Sequence, residues 1–124
     1  MIIAGLGFRG AATQASLTEV LGAALALAPA VRLDALATAP HKATVAVIRS
    51  LAVTMGLPLW AVEVAGQVTP TQSARILAAF DTGSVAEAAA LAAAGPGARL
   101  IVGRMVSADG MATVAIAEGK GLGQ

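Results

Sequence analysis

Three cations, Arg9, Lys42 and Arg104, together with a few glycines and hydroxyls, are the residues of this chain whose types and spacing could do chemistry. Arg9 lies in Gly5-Leu6-Gly7-Phe8-Arg9-Gly10, where a short apolar run empties into three glycines. An apolar run, a Gly-rich turn and a long Ala/Leu segment read as strand, tight loop and helix. Glycines at such a loop let backbone N–H groups approach a ligand, and the helix N-terminus adds partial positive charge. A guanidinium at that place is an anion-recognition feature. Lys42 follows the second predicted strand, Thr69 and Thr71 follow the third, and Arg104 lies toward the end of the fourth. Open α/β sheets bind ligands outside the carboxyl ends of their strands. The three cations therefore form a rim of positive charge, backed by helix N-termini near Ser16, Ala43 and Ser84.

Each residue also has a plainer reading. The Gly5/Gly7/Gly10 spacing matches a dinucleotide fingerprint, but that motif wants an acidic residue at the end of the second strand. Here the strand ends near Ala37-Thr38-Ala39, and Asp34 lies earlier, within it. Arg9 alternatively caps the carbonyls of a neighbouring helix, and Lys42 is a solvated first-turn lysine. His41, after Pro40, reads as a surface loop residue. Ser84-Val85-Ala86-Glu87 has the Ser-x-x-Glu form of a capping box, so Ser84 and Glu87 are most cheaply a helix cap. In the functional reading Glu87 holds Arg9 or a ligand hydroxyl. No Ser/His/Asp constellation is legible, and the seven acids are scattered singly, without a carboxylate pair for acid/base work. A single histidine and no cysteine leave no typical zinc site.

The elements that must position these residues follow from periodicity. A second Ser-x-x-Glu box, Ser16 to Glu19, predicts a helix to about Ala28, with Leu17, Val20, Leu21, Ala24, Leu25 and Ala28 on one face. Arg32 to Thr38 reads as strand and Ala43 to Met55 as helix, with Gly56 at its C′ position. Leu57 to Val64 is a third strand opened by Pro58. A polar connection leads to a short helix from Gln72 to Phe80 and a turn at Asp81-Thr82-Gly83. An alanine-rich helix then runs from Ser84 to Gly95. Arg99 to Val106 and Ala112 to Ala117 form an antiparallel hairpin around Asp109-Gly110. The tail from Gly119 to Gln124 should fray. Strands alternating with helices, closed by a hairpin, predict a three-layer α/β/α fold with a mixed, mainly parallel five-stranded sheet.

At 124 residues the chain is one domain, covering 1–124. That length buries about two-thirds of the unfolded surface without metal or disulfide staples. With 12% charged and 57% apolar residues and a net charge of +1, the composition is opposite to that of a disordered or nucleic-acid-binding chain. The longest apolar runs are broken by Gly22, Pro29 and Pro58 and fall short of the roughly 20 residues of a spanning helix. The opening lacks a basic n-region and cleavage site, so a cytoplasmic protein without membrane or nucleic-acid partner is expected.

Five segments in order carry a resemblance. They are Gly5-Leu6-Gly7-Phe8-Arg9, Ala37-Thr38-Ala39-x-x-Lys42, Gly56-Leu57-Pro58-Leu59, Ser84-Val85-Ala86-Glu87-Ala88-Ala89-Ala90-Leu91 and Thr113-Val114-Ala115-Ile116-Ala117. Together they resemble the CobE family of cobalamin (vitamin B12) biosynthesis proteins, which is similar to the C-terminal domain of CbiG. The resemblance runs from Ile3 to Ala117 and implies a role in building the corrin ring. CbiG opens the δ-lactone of cobalt-precorrin-5A with loss of acetaldehyde. This chain corresponds only to its last domain. Arg104 stands where relatives often carry lysine, which keeps charge and removes proton transfer. The segment after Lys42, Ala43-Thr44-Val45, lacks the acidic residue often found there.

The resemblance and the predicted sheet edge nominate Gly5, Gly7, Phe8, Arg9, Thr38, Lys42, Thr71, Ser84, Glu87 and Arg104 as ligand-binding residues, with no metal and no cofactor. The implied ligand is a corrin or precorrin intermediate, a flat apolar macrocycle fringed with carboxylates, which Arg9 and Arg104 suit as bidentate partners. The protein is then a carrier or accessory protein. The alternatives are a lactone hydrolase or isomerase using Lys42 or Glu87 as acid/base, and an interaction subunit of a pathway enzyme. With no ribose-binding acid, NAD and ATP should leave the thermal midpoint unchanged; a saturable rise with either would restore the nucleotide reading.

Overall fold

The computed structural model describes residues 1–72 and 84–121. The helix expected at Gln72 to Phe80, the turn at 81–83 and residues 122–124 of the tail lie outside the described residues, apart from Gln72 itself. The elements run β1 (Ile2–Phe8), α1 (Gln14–Leu27), β2 (Ala35–Thr38), α2 (Pro40–Ala43), α3 (Ala46–Met55), β3 (Leu59–Ala61), α4 (Val85–Ala94), β4 (Arg99–Val106) and β5 (Ala112–Glu118). Five strands form one mixed sheet in the order β3-β2-β1-β5-β4. β1 pairs parallel with β2, and β2 with β3, while β5 runs antiparallel to both β1 and β4. β4 is therefore parallel to β1, and the carboxyl ends of β1, β2, β3 and β4 share one edge.

Strand alternation sorts the core into two faces. Ala4, Leu6 and Phe8 of β1 pack with Leu17, Val20, Leu21 and Ala24 of α1 and with Ile48, Leu51 and Ala52 of α3. Ile3 faces the other way, with Ala35 and Ala37 of β2, Ala117 of β5 and the alanines of α4. The fold is thus the three-layer α/β/α arrangement that the alternation of elements predicts.

Gly5 and Gly7 occupy strand positions, paired opposite Ala115 and Thr113 of β5, and the turn begins only at Arg9. They do not form the ligand-cradling loop expected from the sequence. Their missing side chains serve helix–sheet packing. A Cβ on Gly5 would stand 2.1 Å from the Ala86 carbonyl oxygen and 2.5 Å from the Ala90 nitrogen, both in α4. Ala88, Ala89, Ala90, Ala93 and Ala94 are completely buried, so the small side chains of the helix and the bare strand allow one backbone to approach the other.

The first helix also starts earlier than expected. Thr13 is its N-cap: the Thr13 hydroxyl accepts from the Ser16 N–H at 3.2 Å, and the Ser16 hydroxyl accepts from the Thr13 N–H at 3.4 Å. Serine replaces the usual glutamate in this reciprocal box. Glu19, freed from that role, instead accepts the Ala108 N–H of the β4–β5 loop at 3.1 Å. The expected helix from Ala43 to Met55 is divided into α2 and α3, with Pro40 opening α2 and left-handed Gly56 closing α3. The tail is held as far as Gly121. Gly119 exchanges hydrogen bonds with Met1, and the Gly121 N–H donates to Ala94 O at 2.7 Å. Among the described residues no helix is long and apolar enough to cross a membrane.

Because Ala86 O and Ala90 N belong to a buried helix backbone that cannot step aside, Gly5→Ala should cost about 3 kcal/mol, the upper end of the usual penalty for overpacking. Gly10→Ala, with nothing within 4 Å of the added Cβ, should stay within about 0.5 kcal/mol of wild type. Urea denaturation of both variants checks the contrast.

Candidate functional site

The carboxyl ends of β1 and β2 point to the edge where the chain changes direction of travel. From β1 it has moved outward to β2 and β3, and it then returns through α4, on the opposite face, to β4 at the far side. Such a reversal leaves a crevice between the diverging connections. A cleft of about 400 Å³ lies there. Phe8, Arg9 and Gly10 come from the end of β1, His41 and Lys42 from α2, and Ser84 and Val85 from the start of α4. Arg104 of β4, Gly110 and Met111 of the β4–β5 loop, and Gly7 and Thr113 from the paired β1 and β5 complete the lining.

The charge pattern is one-sided. Arg9, Lys42 and Arg104 all line the cleft, and among the described residues no carboxylate does. Lys42 has its Nζ over the Phe8 ring, 4.8 Å from the ring centre, a cation–π contact that places an ammonium on the cleft wall. The N-terminus of α4 adds its partial positive charge beside Ser84.

Six of the ten nominated residues come together here: Gly7, Phe8, Arg9, Lys42, Ser84 and Arg104. Four stand behind the lining. Gly5 lies under α4. Thr38 is fully buried, and its hydroxyl donates to Leu6 O at 2.7 Å, closing the end of the β1–β2 ladder. The Thr71 N–H donates to Glu87 Oε1 at 2.9 Å, and Glu87 Oε2 accepts the Arg104 backbone N–H at 3.0 Å. Glu87 thus holds Arg104 by its main chain rather than holding Arg9. The Ser84 cap is as the sequence predicts, its hydroxyl accepting from the Glu87 N–H at 3.3 Å.

His41, Gly10, Val85, Gly110, Met111 and Thr113 also line the cleft without having been nominated. His41 was read as a surface residue, and it is exposed, yet α2 carries it to the rim beside Lys42. The signal for Gly110 and Met111 was topological: an antiparallel hairpin whose first strand is parallel to β1 must turn at the edge where β1 ends.

That hairpin loop is stapled to α1. Asp109 Oδ2 accepts the Ser16 hydroxyl at 2.5 Å, and Asp109 Oδ1 accepts the Ser107 hydroxyl at 2.5 Å and the Met111 N–H at 3.0 Å. The Arg9 N–H donates to Met111 O at 2.9 Å, tying the end of β1 to the same loop. These bonds, the one from Ser107 foremost and that from Ser16 next, lower the Asp109 pKa from 3.8 to about 2. Asp34, by contrast, sits at the opposite end of the sheet, its Oδ2 accepting the Ile2 N–H at 2.7 Å.

The family model for the cobalamin synthesis G C-terminus matches residues 2–117. The chain belongs to this family. Two solved structures agree with the cobalamin synthesis G C-terminal fold. One is CobE, a protein from the cobalamin (vitamin B12) biosynthetic pathway. It is 30% identical with a TM-score of 0.78, over 94% of this chain and 89% of that one. The other is the cobalamin biosynthesis protein chiG from Agrobacterium tumefaciens str. C58. It is 36% identical with a TM-score of 0.69, over 96% of this chain and 98% of that one. No curated protein sequence matches significantly. Membership places this chain among the proteins of cobalamin biosynthesis, as the five segments of the sequence imply.

The Asp109 staple makes stability depend on acid in a definite direction. A carboxylate whose folded pKa lies below its unfolded value contributes fully above about pH 4 and loses that contribution as pH falls toward about 2. Asp109→Asn should flatten the part of the stability-versus-pH curve between those limits, as read by thermal melts across pH 2 to 6.

Proposed function

We propose that this protein binds a polycarboxylate corrin or precorrin intermediate in the cleft and carries or presents it to other enzymes of cobalamin biosynthesis. The observation that carries the reading is the one-sided lining: three cations, no acid among the described residues, and an apolar wall from Phe8, Val85 and Met111. Corrin intermediates are flat apolar rings fringed with carboxylates. An open cleft of this size takes an edge of such a ring, with Arg9 and Arg104 as bidentate carboxylate partners and Lys42 as a point charge. The same chemistry disfavours a nucleotide, because among the described residues no carboxylate of the lining is there to meet a ribose hydroxyl.

Carriage is favoured over catalysis by what the candidate acid/base groups do. Glu87 stands behind the lining, its two oxygens accepting the Thr71 and Arg104 backbone N–H groups. Lys42 lies over the Phe8 ring at the cleft wall, where it serves a ligand carboxylate as a point charge.

Titration with late precorrins or hydrogenobyrinic acid should shift the visible spectrum and retain the pigment with the protein on gel filtration. Absence of both would end the proposal. Arg9→Ala should weaken binding by about 1–3 kcal/mol, as for a lost charged hydrogen bond, and an unchanged affinity would remove Arg9 from the site. Substrate conversion by purified protein at catalytic concentration, lost in Lys42→Ala, would replace the carrier reading with an enzymatic one. Co-purification with pathway enzymes in the absence of any corrin would favour an interaction subunit.

A further inference from the structure

Glu87 is the one charged side chain among the described residues that is buried to 1% exposure. It sits in the first turn of α4, where the helix end favours a carboxylate. Burying such a charge is costly unless hydrogen bonds replace its water. Here they come from two segments distant in sequence: Thr71 on the connection after β3, and Arg104 in β4. Thr71 lies outside any strand, and β4 is the edge strand of the sheet, where only the N–H groups turned toward β5 find a carbonyl across the ladder.

At Arg104 the register is also irregular. Between Val102↔Ile116 and Met105↔Val114, three steps along β4 match two along β5, so β4 carries an extra residue around Gly103 and Arg104. Such a bulge bends the strand and re-aims a side chain, at the cost of an unpaired backbone group. Glu87 Oε2 takes that group at 3.0 Å, and Gly103 leaves the approach open, since even an added Cβ would stand 3.6 Å from Oε2. Arg104 then lines the cleft while its own backbone is held from behind.

We propose that Glu87 is a positioning residue: it holds the β4 bulge through the Arg104 N–H and thereby aims the Arg104 guanidinium at the carboxylates of the bound ligand. The inference rests on the reading of the cleft as a carboxylate site. It assigns Glu87 an effect on affinity that passes through Arg104, without contact between Glu87 and ligand. Glu87→Gln keeps size and one acceptor oxygen, while its NH₂ group turns a donor toward one of the two N–H groups.

In wild-type protein, hydrogen exchange at the Arg104 and Thr71 amides should be slow; a fast Arg104 amide overturns the hold, whatever any variant does. With hydrogenobyrinic acid as probe, Glu87→Gln should weaken binding about tenfold in the wild-type background and change nothing further when Arg104 is already alanine. Equal losses in both backgrounds, or no loss in either, overturn the proposal, because a general structural defect would not depend on Arg104. Should wild-type protein take up no corrin at all, the reading of the cleft falls separately, and the crystal structure of the Glu87→Gln variant decides this one. A straightened β4 with Arg104 turned out of the cleft supports it, and an unchanged bulge overturns it.

Discussion

The contact between the α4 backbone and the bare face of β1 sets the dimensions of everything around it. Gly5 admits the Ala86 carbonyl and the Ala90 nitrogen to distances that no side chain would allow. An alanine-rich helix gains little from burial per residue, since each methyl contributes only a small apolar area. Its hold on the sheet comes from density of packing, with backbone atoms in dispersion contact along its length. The same device recurs where the chain closes: a Cβ on Gly119 would stand 2.3 Å from Ala94 O. Glycine's entropic cost is offset at both places by proximity that a larger residue would forbid.

That proximity brings the start of α4 to the end of β1 and so determines where the cleft forms. One side is the strand end and the α2 turn, and the other is the helix N-terminus with β4 and its loop. The loop is fastened to α1 by Asp109 and Glu19, and to β1 by the Arg9 N–H. The walls therefore come from segments anchored to both faces of the sheet. Cations can be gathered in such a place only if their mutual repulsion is tolerated, and solvent exposure of Arg9 and Arg104 keeps that repulsion small. The Glu87 carboxylate does not balance them at the lining, because it is spent behind the wall on backbone donors.

Topology and chemistry here reinforce one another. The reversal of strand order that creates a crevice in any open α/β sheet coincides here with three cations in the lining, an arrangement suited to anions. Family membership then gives that arrangement a context, since the intermediates of cobalamin biosynthesis are rich in carboxylates.

Much of this was legible in the residues. Helical periodicity from Leu17 to Ala24 and from Ile48 to Ala52, the Ser84 cap, the Gly56 terminus and the Asp109-Gly110 hairpin are local signals, each set by neighbours within a few positions. Strand ends located that way already placed Arg9, Lys42 and Arg104 on one edge. What stayed hidden depends on partners far away in the chain. Gly5 and Gly7 looked like a loop because a glycine required by a crossing helix has the same letter as one required by a turn. Thr13 outcompeted Ser16 as N-cap because the Ser16 hydroxyl also donates to Asp109, 93 residues on. Glu87 resembled an ordinary capping glutamate, and only the β4 bulge, invisible in one strand's pattern, gave its second oxygen a donor. Local hydrogen bonding and hydrophobic period thus determined the elements and the cationic edge. Tertiary packing decided which glycines face a helix, which carboxylate is buried, and which way Arg104 points.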